Sequence, residues 1–101
     1  AFLLRCKEHW DKKTQEGPLW MQLKFNMKRP KTHYRSGKFS HILREDAPET
    51  HIIKPDTDNL IKFVCDALNG VFYKDDSQIT RIQAMKVYAK EPSTEITIME
   101  D

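Results

Sequence analysis

The sequence predicts an α/β (α+β) domain, in which a small mixed or antiparallel sheet packs with two main helices. Residues 19–28 alternate strictly between apolar and polar side chains, which is typical of a half-buried strand. Residues 58–69 have an apolar helical pattern, and residues 2–13 repeat Phe2, Cys6 and Trp10 at a spacing of four. At 101 residues the chain forms one domain over 1–101. Since it does not begin with methionine, we expect its native N-terminal segment to be missing.

The remaining elements follow from local signals. The central helix ends at Asn69-Gly70, a left-handed stop, and Asp56 or Asp58 is a natural N-cap for it. Further strands are expected near residues 79–89 and 95–99. The alternation of the first is imperfect around Ala84-Met85, which suggests a bulge there. Residues 51–53 are expected to form a short strand that leads to Pro55.

The charge of the chain is divided between its two halves. Residues 1–44 contain eleven Lys and Arg against three Asp and Glu, a net charge of +8. Residues 45–101 contain six against twelve, a net charge of −6. A basic half beside an acidic cluster suits an enzyme that binds a polyanion and places a cation on it, although a dipolar surface without a role is the alternative.

Cysteine usage and hydropathy restrict the location. Cys6 and Cys65 lie far apart in apolar helical patterns, so buried free thiols are favoured over a disulfide, as in a reducing cytoplasm. No signal peptide is visible, and no apolar run approaches the ~18 residues that span a membrane.

Residues 29–53 show no sustained period. The first part contains Lys and Arg residues interleaved with Tyr34 and Phe39. Such a loop could bind phosphates and stack on bases, or it could be a solvated flexible loop. The sequence leaves both interpretations open.

Four carboxylates stand at the two borders of the central helix. Asp56 and Asp58 precede it, and Asp75 and Asp76 follow it as an adjacent pair. Like charges repel, and Mg²⁺ is a hard cation that needs only two or three such carboxylates plus a substrate phosphate. The alternatives are helix capping, which explains one of the first two residues, and an ordinary turn at the second pair.

Lys62 lies four residues after Asp58 and four before Asp66, so the three side chains share one helix face. A surface ladder of ion pairs would contribute a few tenths of a kcal/mol. The functional alternative places the ammonium beside the acidic cluster, where it could stabilise charge on a phosphate.

The stretch KPDTDNLIKFVCDALNGVFYKDDSQI, from Lys54 to Ile79, resembles the signature of the RusA family of Holliday-junction resolvases, which are crossover junction endodeoxyribonucleases. The resemblance rests on three elements. They are D-x-D-N-L followed by a Lys two residues later, then D-A-L, and then D-D-x-Q-I. It implies an α/β homodimer that binds four-way DNA junctions and cuts paired strands with Mg²⁺. It also implies a metal site at Asp56, Asp58 and Asp76, with Asp75 adjacent, and a functional Lys62.

The hypothesis from sequence is therefore metal-assisted phosphodiester hydrolysis in a bacterial or prophage-encoded, cytoplasmic homodimer. Mg²⁺, with Mn²⁺ as a substitute, would be bound by Asp56, Asp58, Asp76 and Asp75, and the catalytic residues would be Asp56, Asp58, Asp76 and Lys62. Contacts to branched DNA are expected from Lys28, Arg29, Lys31, Arg35, Lys38, Lys54 and Lys62. A non-catalytic DNA-binding module with a structural acidic cluster is the alternative. A phosphoacceptor receiver domain is disfavoured, because no Asp lies between Asp76 and Asp101.

Overall fold

A computed structural model describes residues 4–6 and 16–101 of the chain. Within them, one α-helix packs on a mixed four-stranded sheet with the order β1-β4-β2-β3. Strand β2 runs parallel to β3 and antiparallel to β4, and β4 runs parallel to β1. The elements are β1 (Leu4–Cys6), β2 (Leu19–Lys28), α1 (Thr57–Leu68), β3 (Ile79–Ala89) and β4 (Ser93–Glu100). The predicted α/β class and mixed sheet are confirmed.

Strand β2 is the centre of the core. Its apolar residues Leu19, Met21, Leu23 and Phe25 are buried on one face, as the alternation predicts. Because β2 and β3 are parallel, the chain must cross over between them, and α1 lies in that crossover. The predicted strand is therefore confirmed, and it sets which face of the sheet the helix covers.

Helix α1 begins and ends within one residue of its predicted bounds. Leu60, Val64 and Leu68 recur every four residues and are buried in one cluster with the apolar face of β2. After the helix, Gly70 adopts a positive φ of 75°, which glycine tolerates without a Cβ clash. The chain turns there and returns Tyr73 to the same cluster, where it is 2% exposed.

The helix predicted at residues 2–13 is wrong at residues 4–6, which form strand β1. Residues 1–3 and 7–15 lie outside the described residues. The spacing of Phe2, Cys6 and Trp10 is local, whereas β1 pairs with β4 about ninety residues away, from Leu4 opposite Thr94 to Cys6 opposite Ile96. Tertiary pairing of this kind overrides local pattern. The second main helix is not found among the described residues.

Two smaller predictions are also wrong. The bulge lies near the start of β3, where the register shifts between Leu19 and Trp20, and not at Ala84-Met85. There the Thr80 hydroxyl donates to the Leu19 carbonyl at 3.1 Å, a bond that compensates for the break in the ladder. Residues 51–53 form no strand.

None of the helices in the described part of the chain is long and apolar enough to cross a membrane.

Candidate active site

The first two aspartates stand at the start of α1, and the fold does not use their side chains. Asp56 is the N-cap residue, and its backbone carbonyl accepts from the Leu60 N–H at 3.2 Å, but its carboxylate makes no capping hydrogen bond. Asp58 lies in the first turn. Both are exposed, and neither carboxylate bonds or pairs with a described residue. The capping alternative raised by the sequence therefore does not account for these carboxylates.

The segment before Asp56 is attached to strand β3. The Lys86 ammonium donates to the Ile53 carbonyl at 2.8 Å and to the Pro55 carbonyl at 2.7 Å. The His51 N–H donates to the Lys86 carbonyl at 3.1 Å, and the Tyr88 N–H donates to the Glu49 carbonyl at 2.9 Å. The Lys54–Pro55 peptide bond is cis. Lys86 thus fixes the position from which the helix and its two aspartates begin.

Asp75 has a structural role. It caps the 3-10 turn Asp76–Gln78: its carboxylate accepts from the Ser77 N–H at 3.1 Å, while its own N–H donates to the Gln78 side-chain carbonyl at 2.9 Å. This reciprocal capping box satisfies two otherwise free donors. The bonds from Ser77 also lower the pKa of Asp75. Of the adjacent pair, Asp75 is the residue that the turn needs.

Asp76 is half-buried and is held by a tyrosine. The Tyr73 hydroxyl donates to Asp76 Oδ1 at 2.7 Å and lies 3.5 Å from the Cys65 carbonyl. Burial and this bond raise the pKa of Tyr73, so the phenol remains a donor at neutral pH. Burial and the nearby Asp76 charge raise the pKa of Cys65, which is a free thiol. Asp76 therefore lies beside the C-terminal half of α1, near Cys65.

Lys62 is exposed on α1 and forms no salt bridge with the part of the chain that the structure describes. The ladder of surface ion pairs with Asp58 and Asp66, which was the alternative role for Lys62, is thus absent from the structure. The ammonium is free to meet a phosphate, and its role stays a prediction.

The predicted metal ligands are not assembled into one group. Among residues 16–101, no three or more His, Cys, Asp or Glu side chains lie close enough together to bind a metal ion. The donors nevertheless have the chemistry that Mg²⁺ prefers, because all are carboxylate oxygens. Since Mg²⁺ often binds through one or two carboxylates and completes its shell with water and substrate phosphate, the residues fit a site that the substrate completes.

A basic groove of about 690 Å³ lies where β2 and β3 end. Its walls include five exposed cations and one partly buried one. The exposed cations are Lys28, Lys31, Arg35, Arg44 and Lys90, and the partly buried one is Arg29. Clustered cations of this kind attract a phosphate backbone whatever its sequence. We refer to these six residues together as the basic groove.

Two arginines of the basic groove, Arg29 and Arg44, also build the loop that surrounds it. The Arg29 guanidinium donates to the Pro48 carbonyl at 2.7 Å and lies 5.4 Å from the Tyr88 ring centroid. Arg44 Nε donates to the carbonyls of Thr32 and Tyr34, both at 3.1 Å. The loop is therefore held by side-chain bonds. Of the other predicted DNA contacts, Lys38 lies over the Phe39 ring at 5.3 Å, and Lys54 is exposed beside Pro55.

Sequence reasoning missed several residues that shape this region. Lys86 and Lys90 lie far along the chain from the groups they accompany, so no local pattern reveals them. Arg44 lies in the same loop as the carbonyls that it bonds, 10 and 12 positions away. Tyr73 had a detectable signal, because it is a polar-tipped residue in a short apolar stretch next to the second aspartate pair. A buried tyrosine hydroxyl normally finds a hydrogen-bond partner, and Asp76 is a near acceptor.

Comparison with known proteins agrees with the motif. The family Endodeoxyribonuclease RusA matches residues 3–99. A relative from Bacillus subtilis (strain 168), described as "Uncharacterized protein YqaN", is 35% identical over 101 residues, which covers 96% of this chain and 68% of the relative. No solved structure gives a significant match. The family match extends over nearly the whole chain, well beyond the 26 residues of the motif, and the chain therefore belongs to the RusA endodeoxyribonuclease family.

Proposed function

We propose that this protein is a Mg²⁺-dependent endonuclease that resolves four-way DNA junctions by hydrolysing phosphodiester bonds symmetrically. The main support from the structure is that Asp56 and Asp58 are exposed at the start of α1 with carboxylates that the fold does not use. Family membership supports the nuclease class, and the basic groove supports a polyanionic substrate. Together these features describe a site for a cation and a DNA backbone.

The proposed metal site consists of Asp56, Asp58 and Asp76, and the substrate phosphate completes it. The bound Mg²⁺, or Mn²⁺ in its place, would activate water and neutralise charge on the phosphate. Lys62 adds a fixed positive charge beside the scissile group. Asp75, which also belonged to the predicted ligand set, is assigned the capping role because its carboxylate already accepts a bond from Ser77.

The DNA backbone is proposed to run from the basic groove to the start of α1. The segment of residues 48–55 connects these two places, because Pro48 bonds Arg29 at the groove and Pro55 bonds Lys86 near Asp56. Lys28, Lys31 and Arg35 would contact phosphates in the groove, and Lys38, Lys54 and Lys62 would do so outside it. Arg29 is proposed to act mainly by shaping the loop.

A homodimer would present two such sites, one for each cut strand, which matches the approximate twofold symmetry of a junction. The bacterial relative supports the proposed bacterial or prophage origin. A cytoplasmic location stays a prediction from the cysteines.

The test is cleavage of a synthetic four-way junction by the whole chain, with Mg²⁺, with Mn²⁺ and with a chelator. We expect paired cuts with either metal and none with the chelator. Asp58→Asn should abolish cleavage and leave junction binding equal or tighter, because a negative charge near the phosphates is removed. Asp46→Asn is the control for cleavage, since Asp46 is also exposed but is not among the proposed metal ligands.

The alternative is a non-catalytic DNA-binding module with a structural acidic cluster. Junction binding without cleavage in either metal would favour it. Normal cleavage by Asp58→Asn would reject the proposed metal site while leaving a nuclease. Equal binding to a duplex of the same length would reject junction preference.

A further inference from the structure

Tyr73 occupies a position that the motif does not explain. It is the largest of the fully buried side chains among the described residues, and it belongs to the same apolar cluster as Val64 and Leu68. Its hydroxyl is the polar tip of that cluster and reaches Asp76 Oδ1 at 2.7 Å. This distance is in the usual range for a hydroxyl that donates to an oxygen.

The backbone around Tyr73 limits its movement. The Gly70 N–H donates to the Tyr73 carbonyl at 2.9 Å, and the N–H groups of Val71 and Phe72 donate to the Leu68 carbonyl at 3.0 and 3.1 Å. The turn after α1 is therefore closed by three backbone bonds. Since the ring is buried and the turn is closed, the hydroxyl is held in one place relative to the helix.

The Asp76 backbone is fixed separately. The capping box between Asp75 and Gln78 holds the turn in which Asp76 is the first residue. The Gln78 side-chain amide donates to the Gly17 carbonyl at 3.1 Å, which attaches the turn to the chain just before β2. The carboxylate of Asp76 is thus restrained at its backbone by the turn and at Oδ1 by Tyr73. Its second oxygen, Oδ2, bonds to none of the described residues.

We propose that Tyr73 is a positioning residue, which holds the Asp76 carboxylate so that its free oxygen faces the divalent cation. The inference rests on the proposed metal site and deepens it. Partners that orient a ligating carboxylate matter to a metal site because their removal typically weakens metal affinity or activity by about 10–100-fold. If the bond to Asp76 served only to give the buried Tyr73 hydroxyl a partner, removal of that hydroxyl would leave metal binding unchanged.

The substitution Tyr73→Phe separates these two roles. It keeps the buried ring and deletes only the hydroxyl. Tyr88→Phe is the matched control, because the Tyr88 ring contacts His33, His51 and Arg29 and would keep those contacts. Mg²⁺ binding is measured by NMR titration of carboxyl-¹³C-aspartate protein without DNA, which works even for weak sites. We expect the Mg²⁺ concentration that half-shifts the Asp76 resonance to rise by about 10–100-fold in Tyr73→Phe and to stay at the wild-type value in Tyr88→Phe.

Junction cleavage gives a second readout. At saturating protein, Tyr73→Phe should cut slowly at low Mg²⁺ and recover at high Mg²⁺, whereas Asp76→Asn should recover little. Unchanged Mg²⁺ dependence and unchanged Asp76 shifts in a folded Tyr73→Phe protein would overturn the inference. If that variant does not fold, the test is an Mg²⁺ titration of wild-type protein labelled with ¹³Cζ-tyrosine. The chemical shift of Tyr73 should change together with that of Asp76, while the chemical shifts of Tyr34 and Tyr88 should not change.

The outcomes keep the inference and the proposed function apart. If wild-type protein cleaves junctions and the Asp56 and Asp58 resonances shift, but Tyr73 and Asp76 do not respond to Mg²⁺, the positioning role is wrong and the nuclease stands. If no aspartate responds to Mg²⁺ and no junction is cut, the proposed function itself has failed.

Discussion

Replacing Lys86 with methionine tests how the two aspartates at the start of α1 are positioned. Methionine keeps an unbranched side chain of similar reach but removes the ammonium, and with it the bonds to the carbonyls of Ile53 and Pro55. Residues 53 and 55 are exposed, so their carbonyls can bind water instead. The segment is then attached to β3 mainly by the backbone bonds of Glu49 and His51.

The expected loss follows from those two bonds. A hydrogen bond that involves a charged group contributes ~1.5–3 kcal/mol, but rehydration of exposed acceptors recovers part of this. We therefore expect Lys86→Met to lower the free energy of unfolding by ~2 kcal/mol, with urea denaturation as the measurement. Because a misplacement of about 1 Å can reduce a rate ~10²-fold, single-turnover cleavage should fall by about that factor.

The control is Lys24→Met, which removes the same charge from an exposed position on β2. It should change stability by less than ~0.5 kcal/mol. A second readout is specific to Lys86: burial and the Lys86 charge both lower the pKa of His51, so Lys86→Met should raise that pKa in an NMR titration. If Lys86→Met keeps the wild-type stability, cleavage rate and His51 pKa, the inference that Lys86 positions the start of α1 is refuted.

Three further predictions concern charge. His51 is 7% exposed and its pKa lies below the usual 6.5, so the unfolded chain takes up a proton at higher pH than the folded chain. The contribution of His51 to the free energy of unfolding should therefore be full above about pH 6.5 and fall as the pH drops from there toward the folded pKa. His51→Gln should flatten this loss in urea titrations. Lys62→Ala should melt like the wild type and bind junctions, yet cut them at least ~10²-fold more slowly at saturating protein, with little rescue by Lys62→Arg; a loss in affinity alone would reduce it to a phosphate contact. Replacing four exposed groove cations, Lys28, Lys31, Arg35 and Lys90, with alanine should weaken junction binding and flatten its log–log salt dependence by up to ~0.9 per lost contact. An unchanged slope would mean that these side chains are solvated and do not contact phosphates.

Long periodic elements were predictable because their signals are local. The alternation of β2 and the four-residue spacing of Leu60, Val64 and Leu68 each specify which face is buried. The turn at Gly70 and the two aspartates at the start of α1 are also local features. Their positions in the fold therefore agree with the sequence, although whether the aspartates bind a metal stays a prediction.

The errors and omissions have long-range causes. Strand β1 is three residues long and depends on β4 near the other end of the chain, so its own pattern is uninformative. The bonds from Lys86 join residues 31 and 33 positions apart. Arg29 was expected to contact DNA, and the structure shows that its guanidinium already bonds Pro48, 19 positions away. The sequence shows that these residues are charged, but only the tertiary structure shows which of the charged side chains form hydrogen bonds within the fold.

That division of charges bears on the choice between a nuclease and a module with a structural acidic cluster. Charged groups that support a fold have partners, as Lys86 and Asp75 do. Asp56, Asp58 and Lys62 have none among the described residues, although they stand within seven positions of one another. A structural cluster therefore accounts for Asp75, whereas the described fold assigns no structural role to the other three side chains. A cation and a phosphate would supply the partners that these three residues lack.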